Sequence, residues 1–418
     1  VISIFDKEIY RNPYKNIEVK EPKKIELTFE QSKAYDTYSN MLLDGGGSGL
    51  LYGVTGSGKT QVYLKLIDKA LENDRDVIVL VPEISLTPQV LSIFHARYGD
   101  KVAVFHSGLS LGERNDEYKR ADRGEAKIVI GTRSAVFAPL HNLGLIIMDE
   151  EQENTYKSER TPKYNTKDVT HFRCKYNKAL FLMTSATPSL ETYSNALKGK
   201  YVLCELNERF GDAKLPHVIT VDMKQEMKNG NKSPISSKLK ELISETIDNG
   251  KQAILLINRR GYNTFIACND CGHVITCPNC SISLTYHSTN NRLTCHYCGY
   301  TKSLDNVCPE CHSENIRYSG YGTQKIEDEL SYLFPNARIL RMDADTTSAK
   351  FSHEKLFNAF ANHEYDIMIG TQMVAKGLDF DNVTLVGVVN ADNSLYDESY
   401  NSAERCFDLI TQVVGRSG

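Results

Sequence analysis

The sequence predicts an α/β chain built from two parallel-sheet lobes, the second carrying a small cysteine-rich insert. Short apolar runs recur without alternating polar positions, each joined to the next by a helical stretch, which is how strands covered on both faces of a parallel sheet read. They fall into two series that meet near residues 205–216. Eight of the eleven cysteines lie between 268 and 311 as four Cys-x-x-Cys pairs, and they interrupt the second series.

Residues 1–25 are polar and charged, with Pro13 and Pro22, and read as a linker. The first lobe, 26–205, has strand-like runs at Gly49–Tyr52, Val77–Val81, Val102–Phe105, Ile128–Ile130, Leu145–Met148 and Leu180–Met183. The second lobe takes 206–262 and 319–418, with runs at Val218–Val221, Ala253–Ile257, Arg338–Met342, Ile367–Ile369 and Thr384–Val389. The insert between them is 263–318. Gly45-Gly-Gly-Ser-Gly49 reads as a flexible loop without a function.

Composition sets outer limits. Apolar residues at 41% and charged residues at 24% are ordinary for a globular chain. Forty-nine basic against 53 acidic residues give a net charge of −4, which excludes a purely electrostatic nucleic-acid binder but not a local basic groove. No apolar stretch approaches the ~18 residues a spanning helix needs, so no membrane partner is expected. No signal peptide opens the chain, and a start at Val1 reads as a fragment of something longer.

Gly53-Val54-Thr55-Gly56-Ser57-Gly58-Lys59-Thr60 fills G-x-x-x-x-G-K-[ST] completely. It follows a strand-like run and opens a helix with Val62, Leu66 and Ala70 on one face, the setting a phosphate-binding loop requires. Backbone N–H groups there close around phosphates at a helix N-terminus. Lys59 is placed to reach the β/γ-phosphates of ATP and Thr60 to bind Mg²⁺. Leu145-Ile-Ile-Met-Asp149-Glu150-Glu151-Gln152 is an apolar strand ending in acids, at the sheet edge where a nucleotide lies. Asp149 suits the Mg²⁺ shell and Glu150 the polarisation of an attacking water.

The cysteine pairs are 268/271, 277/280, 295/298 and 308/311. Two pairs make one Cys₄ zinc site, so four pairs make two sites, with three possible pairings. Ile282, Leu284 and Tyr286 alternate, Asn290-Asn291 can turn, and Leu293 returns. That hairpin favours Cys277, Cys280, Cys295 and Cys298 on one zinc, leaving Cys268, Cys271, Cys308 and Cys311 to the other. His273, His287, His296 and His312 read as bystanders. Arg292, Lys302 and Arg317 stand against Asp270, Asp305, Glu310 and Glu314, so the insert is not a phosphate grip but a wedge or docking surface. Cys174, Cys204 and Cys406 are isolated and read as small buried hydrophobes.

Residues 154–167 follow the acidic box. Lys157, Arg160, Lys163 and Lys167 against Glu159 give a local charge of +3, with Tyr156 and Tyr164 among them. Cations interleaved with aromatics suit a single nucleic-acid strand, charges tracking phosphates and rings stacking bases.

The acidic box, Thr184-Ser-Ala-Thr187 and Gln412-Val-Val-Gly-Arg416-Ser-Gly418 resemble superfamily 2 helicase motifs. Val81–Gln89, Gly131–Ala135, Ile257–Tyr262, Gly370–Phe380 and the eight-cysteine insert narrow the resemblance to the replication-restart helicase family PriA, over nearly the whole chain. That resemblance implies two RecA-like lobes with ATP between them, Gly377, Asp379, Gln412 and Arg416 coming from lobe two. It implies that Gln31 reads adenine, and that Ser85, Thr87, Thr132, Arg133 and Thr371 grip the DNA backbone. It implies that the loop from Tyr156 to Lys167 senses single-stranded DNA, that the zinc pattern is nested, and that unwinding runs 3′→5′ at stalled or branched forks. Expected partners are single-stranded and forked DNA, primosome proteins and single-strand-binding protein, in a nucleoid-associated cytoplasmic setting. The N-terminal fork-binding and winged-helix domains of the family are not in this sequence. Its last motif reads Gln-x-x-Gly-Arg-x-Gly-Arg, of which the final Arg lies past Gly418, so residues 1–418 alone are expected to be a poor ATPase. Two positions depart from the family pattern: Gln152 stands where His is usual, and Asn401 where Arg is usual. Another zinc-bearing repair helicase, RecQ-like, or a mainly non-catalytic loader of replication proteins are the competing readings. The insert's place in lobe two argues against the first, and intact Glu150 and Arg416 against the second.

Overall fold

A computed structural model of the chain describes residues 11, 25–82, 86, 88–159, 161–209, 216–257, 265–268, 270–287, 292–295, 298–305, 307–314, 316–319, 323–342, 352–371, 380, 382–396 and 399–415. The chain divides into two compact units, residues 1–214 and 215–418.

The first unit runs α1 (Phe29–Leu43), β1 (Gly47–Gly53), α2 (Lys59–Glu72), β2 (Asp76–Leu80), α3 (Pro88–Tyr98), β3 (Val102–Phe105), α4 (Leu111–Asp122), β4 (Ile128–Gly131), β5 (Leu143–Asp149), α5 (Thr166–Asn177), β6 (Leu180–Ser185), α6 (Leu190–Leu197) and β7 (Val202–Leu206). The strands form one parallel sheet in the order β3-β4-β2-β5-β6-β1-β7. Side chains alternate across it. Leu51, Val77, Val79, Leu145, Ile147, Leu180 and Leu182 pack under α1, α2 and α3. Leu50, Ile78, Leu80, Ile146, Met148, Phe181 and Met183 pack on the opposite face. Covering both faces is why these strands read as unbroken apolar runs.

Thr28 and Gln31 form a reciprocal capping box at the start of α1, and Ser110 and Glu113 do the same for α4. The glycine-rich stretch expected as a free loop is instead the entry to β1. A Cβ at Gly46 would lie 2.3 Å from the Ala179 carbonyl oxygen, and one at Gly49 2.4 Å from the Tyr38 ring. Close approach, not flexibility, accounts for those glycines. Strand β7 escaped the sequence reading because it is an edge strand, mostly half-exposed, with a glutamate inside it.

The second unit contains α7 (Met223–Lys228), α8 (Ser237–Asp248), β8 (Gln252–Ile257), β9 (Phe265–Cys268), β10 (Thr285–His287), β11 (Arg292–Thr294), β12 (Thr301–Ser303), β13 (Ile316–Ser319), α9 (Thr323–Leu333), β14 (Ile339–Met342), α10 (Ser352–Ala361), β15 (Ile367–Gly370), β16 (Val383–Val389) and α11 (Ser402–Val414). A parallel sheet in the order β14-β15-β8-β16 carries apolar side chains on both faces. A separate antiparallel sheet, β12-β11-β10-β9-β13, lies between β8 and α9 in sequence and encloses its own small core of Ile266, Ile275, Leu284 and Leu293. The expected hairpin is present, with Tyr286 opposite Leu293.

Val218–Val221 is not a strand. Pro216 supplies no N–H, Val218 and Ile219 are 57% and 46% exposed, and the segment has no ladder partner among the described residues. Asn401, which replaces the usual Arg, takes the N-cap position of α11 and accepts a bond from Ser399 Oγ at 2.5 Å. No helix among the described residues is long and apolar enough to cross a membrane.

Candidate active site

Three neighbouring strands end at one level. Tyr52 of β1 and Asp149 of β5 stand beside Ser185 and Thr184 of β6. The phosphate-binding loop, the acidic box and the Thr-Ser-Ala-Thr turn therefore share the C-terminal edge of the sheet, where α/β sheets bind ligands.

The loop from Gly53 closes on the N-terminus of α2 with Gly56 and Gly58 at positive φ. Lys59 Nζ donates to the carbonyls of Gly53 at 2.7 Å and Val54 at 3.3 Å, while Thr60 at the helix start is exposed. Ser57 Oγ is buried without a hydrogen-bond partner among the described residues. A helix N-terminus, a cation and an orphaned hydroxyl together fit a phosphate chain. Gln31 corrects its expectation. It is 1% exposed, its Oε1 accepts from Thr28 N at 2.9 Å, and its Nε2 donates to Ser57 O at 2.9 Å. Its amide braces the loop and is not presented to a base.

The acidic box is wired into its surroundings one residue at a time. Asp149 Oδ1 accepts from Thr184 Oγ1 at 2.5 Å and from Glu150 N at 3.1 Å. Burial and the Glu150 carboxylate push the Asp149 carboxyl up to about 6, against the lowering effect of Thr184 and Lys59. Glu150 occupies the left-handed region at φ 48°, an uncommon and costly backbone for this residue type. Its Oε2 accepts from Gln152 Nε2 at 2.7 Å, and Gln152 Oε1 accepts from Ser185 Oγ at 2.6 Å. Ser185 Oγ in turn accepts from Thr187 N at 2.8 Å. Gln152, standing where His is usual, thus joins the box to the Thr-Ser-Ala-Thr turn inside this unit. Glu151, 3% exposed, pairs with Lys167 and accepts from Ser189 N at 2.6 Å and Thr192 Oγ1 at 3.0 Å. The run Asp149-Glu150-Glu151 does not itself reveal that its third acid points inward.

The basic loop forms a small hairpin-like excursion. Lys157 bridges to Asn165, and Ser158 N donates to Tyr164 O at 2.8 Å. Lys157 and Lys163 are exposed and Tyr164 is half-buried, whereas Arg160 lies outside the described residues. Two expectations change here. Tyr156 is 3% exposed, with its hydroxyl hydrogen shared between Asp149 O at 2.6 Å and Leu80 O at 3.0 Å, so its ring has no free face for a base. Lys167 is committed to Glu151 and Thr192 and adds no charge to the open surface. Thr132 is buried at 3%, and Arg133 donates to the carbonyls of Thr155 and Lys157, both at 3.3 Å, so it braces the loop from below.

In the second unit Gln412 is buried in α11 and Thr371 is half-buried after β15. Ser85, Thr87, Gly377, Asp379 and Arg416 lie outside the described residues.

The eight cysteines gather into Cys268, Cys271, Cys308, Cys311 and Cys277, Cys280, Cys295, Cys298, each set with its sulfurs within 4.8 Å. Sulfurs are 3.5 Å apart for 268/311 and 3.6 Å for 271/308 and 277/298. Four thiolates around one zinc at ~2.3 Å stand about 3.8 Å apart in a tetrahedron, so both sets fit that ion. All four knuckles share one backbone design. The residue after the second cysteine (Gly272, Ser281, Gly299 or His312) has positive φ, and its N–H bonds the carbonyl of the first cysteine at 2.8–2.9 Å. His312 is therefore a backbone position rather than a ligand, and neither set includes a histidine among the described residues.

Comparison with known proteins agrees with this arrangement. The DEAD/DEAH box helicase family matches residues 31–196, the helicase conserved C-terminal domain 299–418, and the PriA DNA helicase Cys-rich region 277–302. The crystal structure of the DUF1998 helicase MrfA bound to DNA overlays 94% of this chain and 47% of its own, at TM-score 0.54 and 15% identity. RecG bound to a three-way DNA junction overlays 95% and 44%, at 0.53 and 17%. These two show the shared fold. The replication restart protein PriA of Bacillus subtilis (strain 168) is 50% identical over 98% of this chain, and that of Synechocystis sp. 46% identical over 94%. The chain covers 51% and 48% of those two, about half the length of the curated relatives it matches. With both helicase domains, the paired Cys₄ sets and such identity along almost its whole length, the chain belongs to the PriA family of replication restart proteins.

Proposed function

We propose that this chain is the motor portion of an ATP-dependent DNA helicase that unwinds 3′→5′ at stalled or branched forks and promotes primosome assembly. The observation that carries the reading is the shared strand-end level of the phosphate-binding loop, Asp149-Glu150 and the Thr184–Thr187 turn. Gly53 to Lys59 would hold the phosphates, and Thr60 and Asp149 would carry Mg²⁺, which neutralises charge developing on the transferred phosphoryl group. Glu150, aimed by its left-handed backbone and by Gln152, would orient the attacking water. Gln412, Arg416, Gly377 and Asp379 are assigned to the nucleotide from lobe two. Lys157, Arg160, Lys163 and Tyr164 are assigned to DNA, with Ser85, Thr87 and Thr371 on its backbone. Primosome proteins, single-strand-binding protein and a nucleoid-associated cytoplasmic setting complete the reading, with the zinc insert as wedge or docking surface. The two Cys₄ sets within the second unit favour this over a RecQ-like assignment.

The test is DNA-stimulated ATP turnover, and unwinding of 3′-tailed against 5′-tailed duplexes, by the complete gene product and its Glu150→Gln variant. Loss of the general base should lower turnover by ~10²–10⁴-fold while nucleotide and DNA binding persist. Turnover unaffected by Glu150→Gln, or unwinding that prefers 5′ tails, would overturn the assignment.

A further inference from the structure

Residues 133–137 form a short 3₁₀ turn after β4. Val136 and Ala138 are buried at 0% and 2%, but Phe137 between them is 53% exposed. The backbone under that ring is tied down on both sides. Arg173 of α5 donates to the carbonyl of Val136 and, at 3.0 Å, to that of Ala138. Arg173 is partly buried, so Phe137 stands on a rigid base rather than at a loop tip. Its ring meets Tyr164 edge to face, with centroids 5.0 Å apart. Exposed Lys163 is next to Tyr164, and exposed Lys157 is linked to the same turn through Arg133.

We infer that Phe137 and Tyr164 form a stacking platform for the bases of a single nucleic-acid strand, with Lys157 and Lys163 alongside its phosphates. The inference deepens the DNA-binding part of the proposed function and rests on it. An aromatic face kept in water on a pinned backbone loses little conformational entropy when a base settles on it, and any base offers a π-face. The flanking cations match a polyanion and not an apolar protein segment. Phe137 takes the place that the buried Tyr156 cannot fill.

The chain contains no tryptophan, so Phe137→Trp introduces a single indole reporter at an exposed site. Residues 1–418 carrying this change would be titrated with oligothymidylate and with an abasic oligomer of equal length, binding being followed independently by anisotropy of labelled oligomers. The expected result is saturable quenching of the indole by oligothymidylate, at the midpoint read by anisotropy, and binding of the abasic oligomer without quenching. In parallel, Phe137→Ala should weaken oligothymidylate binding about tenfold, within the range of stacking on one ring, and leave abasic binding unchanged. Tight oligothymidylate binding with no change in emission, together with unchanged affinity in Phe137→Ala, would overturn the platform while leaving the loop as a DNA site. If the unmodified chain binds neither oligomer, the loop's assignment to DNA falls, and the platform falls with it.

Discussion

The hydroxyl of Tyr156 lies 2.6 Å from the backbone oxygen of Asp149. That carbonyl belongs to the peptide leading into Glu150, whose backbone is held at φ 48°. Burial and the Asp149 carboxylate raise the phenol well above its ordinary range, so it remains a donor at working pH. A residue expected from sequence to touch DNA is instead a tie beneath the acidic box.

Tyr156→Phe deletes that tie together with the longer bond to the Leu80 carbonyl, while the ring keeps its packing. Losing a neutral hydrogen bond of ~1 kcal/mol that positions Glu150 should lower kcat about fivefold. KM for ATP and affinity for single-stranded DNA should stay unchanged, because neither Lys59 nor the exposed face of the loop is altered. Steady-state ATPase assays and anisotropy check the split. A rise in DNA dissociation constant with normal kcat would return Tyr156 to the DNA face.

The pH dependence of nucleotide binding follows from Asp149. Its carboxyl is raised to about 6, so the free protein takes up a proton there as pH falls through that value. The protonated form is neutral and holds no Mg²⁺. Apparent affinity for Mg²⁺–nucleotide should therefore be flat from about pH 7 to 8 and fall about tenfold per pH unit below 6. Glu150 is the second cause of the raised value, so Glu150→Gln should move the acid limb to lower pH. Calorimetric titration with a non-hydrolysable analogue measures both.

Glu151 is buried with Lys167 as its cationic partner. Lys167→Met leaves the carboxylate with its neutral donors but without its counter-charge. Removing one partner of such a pair should destabilise the first unit by about 3 kcal/mol. A lower urea midpoint with an unchanged slope is the expected denaturation result. A change below about 0.5 kcal/mol would mean that Ser189 and Thr192 suffice for Glu151.

Metal analysis should find two zinc ions per chain, matching the two Cys₄ sets. Cys308→Ser should release one, loosening β9 and β13, which frame the outer set, while Cys277, Cys280, Cys295 and Cys298 keep theirs. Hydrogen exchange should then show lost protection over residues 265–268 and 316–319 and unchanged protection in β1–β6. Loss of both ions in that variant would show the two sets to be one cooperative unit.

Much of this protein was determined by sequence alone, wherever a local pattern has one physical use. The Gly53–Thr60 loop, the strand ending at Asp149 and the four Cys-x-x-Cys turns each specify their backbone within a few residues, so their chemistry is legible without coordinates. Unalternated apolar runs likewise disclosed the parallel sheets. Tertiary structure decided what depends on which way a side chain faces. Tyr156 and Tyr164 are eight residues apart in one basic aromatic segment, yet one is sealed under the sheet edge and the other meets water. Gln31 turned inward to brace the phosphate loop, Glu151 became a buried anchor for Lys167, and Val218–Val221 has no ladder partner among the described residues. Phe137 stands exposed on a turn whose carbonyls on both sides of it are held by Arg173, 36 residues further along the chain. Burial is set by contacts between distant segments, and composition along a short stretch carries no record of them.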